Sequence, residues 1–196
     1  MANMELLKKN LQELGYEVSH FATGAEAADY LNSKIDGKTV AFGGSVSLQQ
    51  MGLCEKLDSH NKVIWHWREA KPMDAMCCDI YLSSVNGAAE TGELINIDGT
   101  CNRVSGTLFG HEKVYLIIGS NKVAADYDAA LWRARNVAAP LNARRLGRDT
   151  PCAQGDEIKC YNCKSPERIC RALTVFWKAP GGARYEVVLV DEELSY

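Results

Sequence analysis

Long apolar runs are missing from this sequence. Nowhere do about 18 or more apolar residues follow one another, so no membrane-spanning helix and no membrane partner are expected. The opening stretch MANMELLKKNLQELG is charged and amphipathic where a secretory leader would be apolar, and a cytoplasmic location is expected. Clusters of one charge sign are missing too. The 22 basic residues stand against 25 acidic ones for a formal net charge of −3. No Lys/Arg-rich run or aromatic-interleaved basic stripe appears, which argues against nucleic acid as a partner. No repeat, low-complexity tract or long linker divides the 196 residues. Residues 1–196 are therefore read as one α/β domain, long enough to fold around its own core.

What the chain does hold is a concentration of cysteine. Half of its eight cysteines, Cys152, Cys160, Cys163 and Cys170, fall in one stretch with the spacing C-x7-C-x2-C-x6-C. A thiolate is a soft, charged ligand. Four of them in one loop can converge on a tetrahedral metal or on the corners of an iron–sulfur cluster. A reducing compartment disfavours bridges, and the C-x2-C pair suits a shared metal better than two disulfides. The loop 150–171 lacks the second C-x2-C knuckle of a zinc ribbon and the tight C-x2-C-x2-C run of a bacterial ferredoxin, so the spacing leaves both metals open. Lys159, Lys164, Arg168 and Arg171 surround it with positive charge. Cys54, Cys77 and Cys78 are read as buried or half-buried thiols.

In chain order, Met4, Leu7, Leu11 and Leu14 share a helical face that Gly15 terminates. Tyr16 to Phe21 reads as a strand, and Thr23 with Glu26 as a capping box opening a second helix. Thr39 to Phe42 is a short strand running into Gly43-Gly44-Ser45, after which Ser47 and Gln50 are expected to cap a helix. That junction lacks the full dinucleotide or P-loop signature, and its glycines serve either ligand approach or turn geometry. Val63 to Trp67 forms another strand, in which His66 reads as an ordinary surface or packing histidine rather than a ligand. Val114 to Ile118 is the most apolar segment and suits a central parallel strand covered on both faces. It runs into Gly119-Ser120-Asn121-Lys122, where open α/β sheets bind ligands. A long helix follows from Asp126, with Pro140 expected to break or kink it and Arg144, Arg145 and Arg148 read as a solvated face. Leu173 to Trp177 and Tyr185 to Val190 resemble a closing hairpin around Pro180-Gly181-Gly182. The alternation argues for a Rossmann-like layered α/β domain with a largely parallel sheet.

The segments YLSSVNGAAETGELINIDGTCNRVSG, IIGSNKV, ALWRARNVAAPLNARRL, TPC and CYNCKSPERIC, with GGSVSL near the start, together resemble the lactate-utilisation (LUD) domain family, in its subgroup with a C-terminal four-cysteine cluster. The likeness spans nearly the whole chain. It implies the fold of ribose-5-phosphate isomerases and CoA transferases, and membership of systems that oxidise lactate alongside iron–sulfur and oxidoreductase subunits. One departure is Cys101, where the family usually has glycine before Asn-Arg. If that backbone needs positive φ, cysteine is a costly fit.

On that resemblance the expected function is a redox component binding a small carboxylate or related metabolite and a [4Fe-4S] cluster, with zinc as the alternative metal. Cys152, Cys160, Cys163 and Cys170 would be the metal ligands. Gly44, Ser45, Asn102, Arg103 and Asn121 would bind the metabolite, with Glu90 and Lys122 as catalytic groups. Two other readings stay open. One is a zinc-pinned metabolite-binding scaffold without catalysis. The other is an acyl or CoA-group transferase with Glu90 as nucleophile. A fold shared with isomerases and transferases does not by itself transfer a reaction.

Overall fold

The computed structural model describes residues 3–68 and 70–196. Met1 and Ala2 of the amphipathic opening stretch lie outside the described residues. Helix α1 (Met4–Glu13) buries Met4, Leu7 and Leu11, is capped by the Asn3 side chain, and stops at Gly15 with φ +88°. Strand β1 (Glu17–Phe21) follows, then helix α2 (Gly24–Lys34), whose capping box between Thr23 and Glu26 is fully formed. Strand β2 (Thr39–Phe42) leads into the short helices α3 (Val46–Gln50) and α4 (Leu53–Asp58) and then strand β3 (Lys62–Trp65). Ser45, not Ser47, caps α3 by accepting the Leu48 N–H, because residue 45 is the last in extended geometry before the helix. After a 3-10 turn over Pro72–Cys77 come β4 (Ile80–Ser84), β5 (Gly87–Ala89), β6 (Leu94–Asp98), helix α5 (Asn102–Leu108) and β7 (Lys113–Gly119).

The two-residue strand β8 (Val123–Ala124) precedes one long helix. It begins as α6 (Tyr127–Arg133), widens to a π-turn over Ala134–Ala138, and continues as α7 (Ala139–Arg145). Pro140 therefore neither breaks the helix nor starts a separate one. Proline cannot donate to the ladder and crowds the carbonyl four residues earlier, and the π-turn just before it relieves that conflict. Helix α8 (Pro151–Gln154), β9 (Ala172–Phe176) and β10 (Arg184–Val190) complete the chain.

Among the described residues the main sheet has six strands, all parallel, in the order β1-β10-β7-β4-β2-β3. One apolar cluster fills the face under α1 and another the face under α2, α3 and α4, which makes a layered α/β domain with the sheet in the middle. Strand β7 is central, as its continuous apolar run requires. The expected closing hairpin does not form. β10 inserts between β1 and β7, while β9 pairs with β6 in a second sheet of four strands, ordered β8-β5-β6-β9. The run Tyr185–Val190 is buried throughout, and only an interior strand can cover both of its faces. Among the free thiols Cys54 and Cys78 are buried, but Cys77 is exposed at the end of the 3-10 turn.

Candidate functional site

The carboxyl ends of β2, β3, β4 and β7 open on one side of the sheet, and a cavity of about 310 Å³ lies there. Gly44 and Ser45 enter it from the end of β2, His66 and Trp67 from the turn after β3, Ser84 from β4, and Lys122 from the turn after β7. Asn102 and Arg103 reach it from the start of α5, and Asn142 and Arg145 from α7. Of the metabolite-site residues expected from sequence, the structure thus gathers Gly44, Ser45, Asn102, Arg103 and Lys122 at one place. Gly43 and Gly44 do not take positive φ. They are small because neighbours press on them: a Cβ at 43 would lie 2.9 Å from the Tyr81 hydroxyl, and one at 44 would lie 3.2 Å from Trp67 Nε1.

Glu90 and Asn121 do not line this cavity. Glu90 Oε1 accepts the Asn3 N–H at 2.7 Å and its carbonyl accepts from Asn10, so the residue fastens α1 to the small sheet. Asn121 exchanges hydrogen bonds with Leu194 and Ser195, holding the segment after β10 in place. These contacts set Glu90 and Asn121 apart from the cavity, contrary to the catalytic role expected for Glu90 and the binding role expected for Asn121.

Arg103 has a different part from the one expected. Its NH1 donates to the Ser84 carbonyl at 3.2 Å and to Asn96 Oδ1, and its NH2 donates to Asn86 Oδ1 at 3.1 Å and the Ile97 carbonyl at 2.9 Å. Its Nε faces Asp98 at 3.7 Å. With the guanidinium fork committed in this way it cannot also clamp a carboxylate through two parallel N–H groups. It instead ties the end of β4 to β6. Asp98 also accepts the Cys101 and Val104 N–H groups, which seats the start of α5. There Cys101 does carry positive φ, +66°, the conformation that glycine adopts without cost.

Among the described residues that line the cavity, the cations free to meet a ligand are Arg145 and Arg148, both exposed at its lip. Sequence reasoning took them for a solvated face. Arg145 is braced by Asn142 Oδ1 and the Tyr196 hydroxyl and lies 5.0 Å over the Trp67 ring. Lys122 sits at the floor, 4% exposed, with burial and the neighbouring Arg133 and Arg103 charges pulling its pKa down to about 7. Burial also lowers the pKa of His66. Among the described residues three arginines therefore line the cavity against one carboxylate, that of Asp98, and this balance favours an anion. His66, Ser84 and Asn86 were not picked out from sequence as cavity residues. Their shared signal is position: each closes or follows a strand of the main sheet at its carboxyl end.

The four clustered cysteines line a second, smaller cavity, together with Arg135, Pro140, Ala143 and Thr150. No disulfide links the chain's cysteines among the described residues. No three Cys, His, Asp or Glu side chains among those residues gather as ligands for one ion. The thiols wall a space rather than meet at a point. Cys160 Sγ lies 3.3 Å from the Asn162 N–H and 3.9 Å from the Arg135 guanidinium, and Cys152 Sγ lies 3.3 Å from the Thr150 hydroxyl. N–H groups set against a cysteine sulfur in this way tune a cluster bound there. Arg144 holds the loop by donating to the carbonyls of Cys152, Gly155 and Glu157, and Arg168 by donating to those of Cys163 and Cys170. Four thiols lining one cavity are the donor type that an iron–sulfur cluster takes. The two cavities share a wall, with Ala139 of α7 and Ile169 of the cysteine loop lining both.

No curated protein matches this sequence significantly. Among solved structures it is similar to a DUF162 family protein from Deinococcus radiodurans, at 13% identity over 95% of each chain with a TM-score of 0.58. That likeness shows a shared fold. The family model of the LUD domain matches residues 4–190. That match runs from the first residue of α1 to the last of β10 and takes in the cysteine cavity and all of the larger one but Ser195 and Tyr196, and the chain accordingly belongs to the LUD domain family.

Proposed function

We propose that this chain is a redox component of the lactate-utilisation type. In this reading the larger cavity binds a small anionic metabolite, and the loop bearing Cys152, Cys160, Cys163 and Cys170 holds a [4Fe-4S] cluster directly behind it. The observation that carries the reading is the common wall of Ala139 and Ile169 between the two cavities. A bound cluster would supply one-electron transfer and, through the exposed loop, contact with an oxidoreductase partner subunit. The chain's own residues do the rest. Arg145 and Arg148 meet the carboxylate at the lip, and Arg103 keeps the cavity walls in register from within. Trp67 and Tyr196 brace the Arg145 guanidinium.

Protein purified without oxygen and analysed for iron, sulfide and zinc, with its visible spectrum, tests the cluster. A broad visible absorption with about four irons per chain, lost in Cys163→Ala, is the expected result. One zinc and no colour would replace it with a structural zinc loop, since a four-thiolate zinc has no open position. Calorimetry with small 2-hydroxy and 2-oxo acids tests the cavity. Arg145→Ala should weaken binding about tenfold or more, as expected for one charge-assisted hydrogen bond.

A further inference from the structure

Two lysines drawn away from solvent, Lys122 buried and Lys113 half-buried, are held in opposite ways. Lys113 is paired with carboxylates, Glu186 at 2.6 Å and Glu17 at 2.8 Å, and its pKa is raised. Lys122 has no carboxylate among the described residues within ion-pair reach. Its Nζ lies 2.8 Å from Ser47 Oγ and 3.0 Å from Ser84 Oγ. Each serine gives its own hydrogen to a main-chain carbonyl, Ser47 to Leu194 at 3.2 Å and Ser84 to Ile117 at 2.6 Å. Both hydroxyls must therefore accept from the lysine. A neutral amine has two hydrogens, and both are taken. Its lone pair occupies the remaining position, and Lys122, Ser47 and Ser84 all line the larger cavity.

A lysine kept for its charge is given a counter-ion, as Lys113 is. Lys122 is instead desolvated, set near two arginines and hydrogen-bonded in a way that suits the uncharged form. Burial beside other cations is how proteins turn lysine into a nucleophile at neutral pH. We propose that Lys122 forms an imine with the carbonyl carbon of a small 2-oxo acid that Arg145 and Arg148 draw into the cavity. The inference rests on the anion-binding reading of the larger cavity and adds a substrate class and a covalent step to it. The Nζ lone pair attacks the carbonyl carbon, the C=O π pair moves to oxygen, and a proton passes from nitrogen to that oxygen. The carbinolamine hydroxyl then departs with the second nitrogen proton as water, leaving C=N. No electrons are gained or lost, and no further reactant is needed.

Trapping tests this on the intact wild-type chain. The protein is incubated with pyruvate as the probe, reduced with borohydride, and its adducts are located by peptide mass spectrometry. One reduced pyruvate per chain on the peptide containing Lys122 is expected, with none when lactate, which lacks the carbonyl, replaces pyruvate. Lys122→Arg, checked for folding by circular dichroism, should leave no adduct in the cavity. Arg145→Ala should slow trapping at low pyruvate about tenfold. If calorimetry shows pyruvate bound while Lys122 stays unmodified, the imine is overturned and the anion-binding reading stands. If pyruvate neither binds nor traps, both fall. Adducts spread over surface lysines, unchanged when the protein is unfolded in urea, would also overturn the proposal.

Discussion

Arg103→Met is the perturbation that most directly tests how the larger cavity is built. Methionine keeps much of the apolar stem but removes every donor. Four acceptors, the carbonyls of Ser84 and Ile97 and the amide oxygens of Asn86 and Asn96, then lose a donor, and Asp98 loses its opposite charge; Asn86 Oδ1 keeps the Ile97 N–H and the Ser84 carbonyl keeps the Ser83 hydroxyl, so the other two bear most of the cost. A buried acceptor left unpaired costs about 1–3 kcal/mol. The asparagine amides can turn toward other donors, whereas the two carbonyls cannot. A net loss of about 3–5 kcal/mol follows, the scale measured when one partner of a buried ion pair is removed. Urea unfolding followed by circular dichroism would show a lower midpoint with an unchanged slope. Arg103→Lys, which restores charge but not the planar fork, should fall between the two. A loss under about 1 kcal/mol accompanied by abolished metabolite binding would refute the structural role and return Arg103 to the substrate.

Other substitutions test separate features. The folded protein holds Lys122 at a pKa of about 7 against an ordinary 10.5, so the unfolded chain binds the extra proton between those values and stability through this group rises with pH across that window. Thermal melts from about pH 6 to about pH 10 should show Lys122→Met more stable than wild type at the acid end and the gap closing toward the alkaline end; parallel curves would count against it. Cys101→Gly should raise stability by about 0.5–1 kcal/mol, since φ is +66° there, and a denaturation midpoint below wild type would contradict that account. In Gly106→Ala the new Cβ would lie 2.4 Å from the Tyr81 ring, and a loss of about 1–3 kcal/mol on urea unfolding is expected.

The sequence carried the fold further than it carried the site. Periodicity, the Thr23–Glu26 capping box and the Val114–Ile118 run all reflect local or two-faced burial, and each occurs in the structure as expected. The destination of β10 was misjudged because proximity in sequence favoured a hairpin, while its burial on both faces favoured the sheet interior. Residue chemistry alone suggested Arg103 as the carboxylate clamp. What decided otherwise was the set of acceptors around it, supplied by β4, β6 and the turn between β4 and β5, which no spacing in the sequence displays. Arg145 and Arg148 were missed for the converse reason. A run of arginines at a helix end looks solvated until the opposing strand ends are placed beneath it.

The π-turn in the long helix also sets the angular phase of everything beyond it. Each such turn holds one residue more than the α-helix it interrupts, so the flanking segments are offset by roughly 100° about the axis, the angle of one residue at 3.6 per turn. Consecutive arginines on the far side already point about 100° apart, and the offset decides which neighbour each meets: Arg144 faces the cysteine loop and Arg145 the larger cavity. Removing a single residue from Ala134–Ala138 would return the helix to even winding and swing both side chains off their targets together. Length in this segment is thus under tighter constraint than its run of small residues suggests.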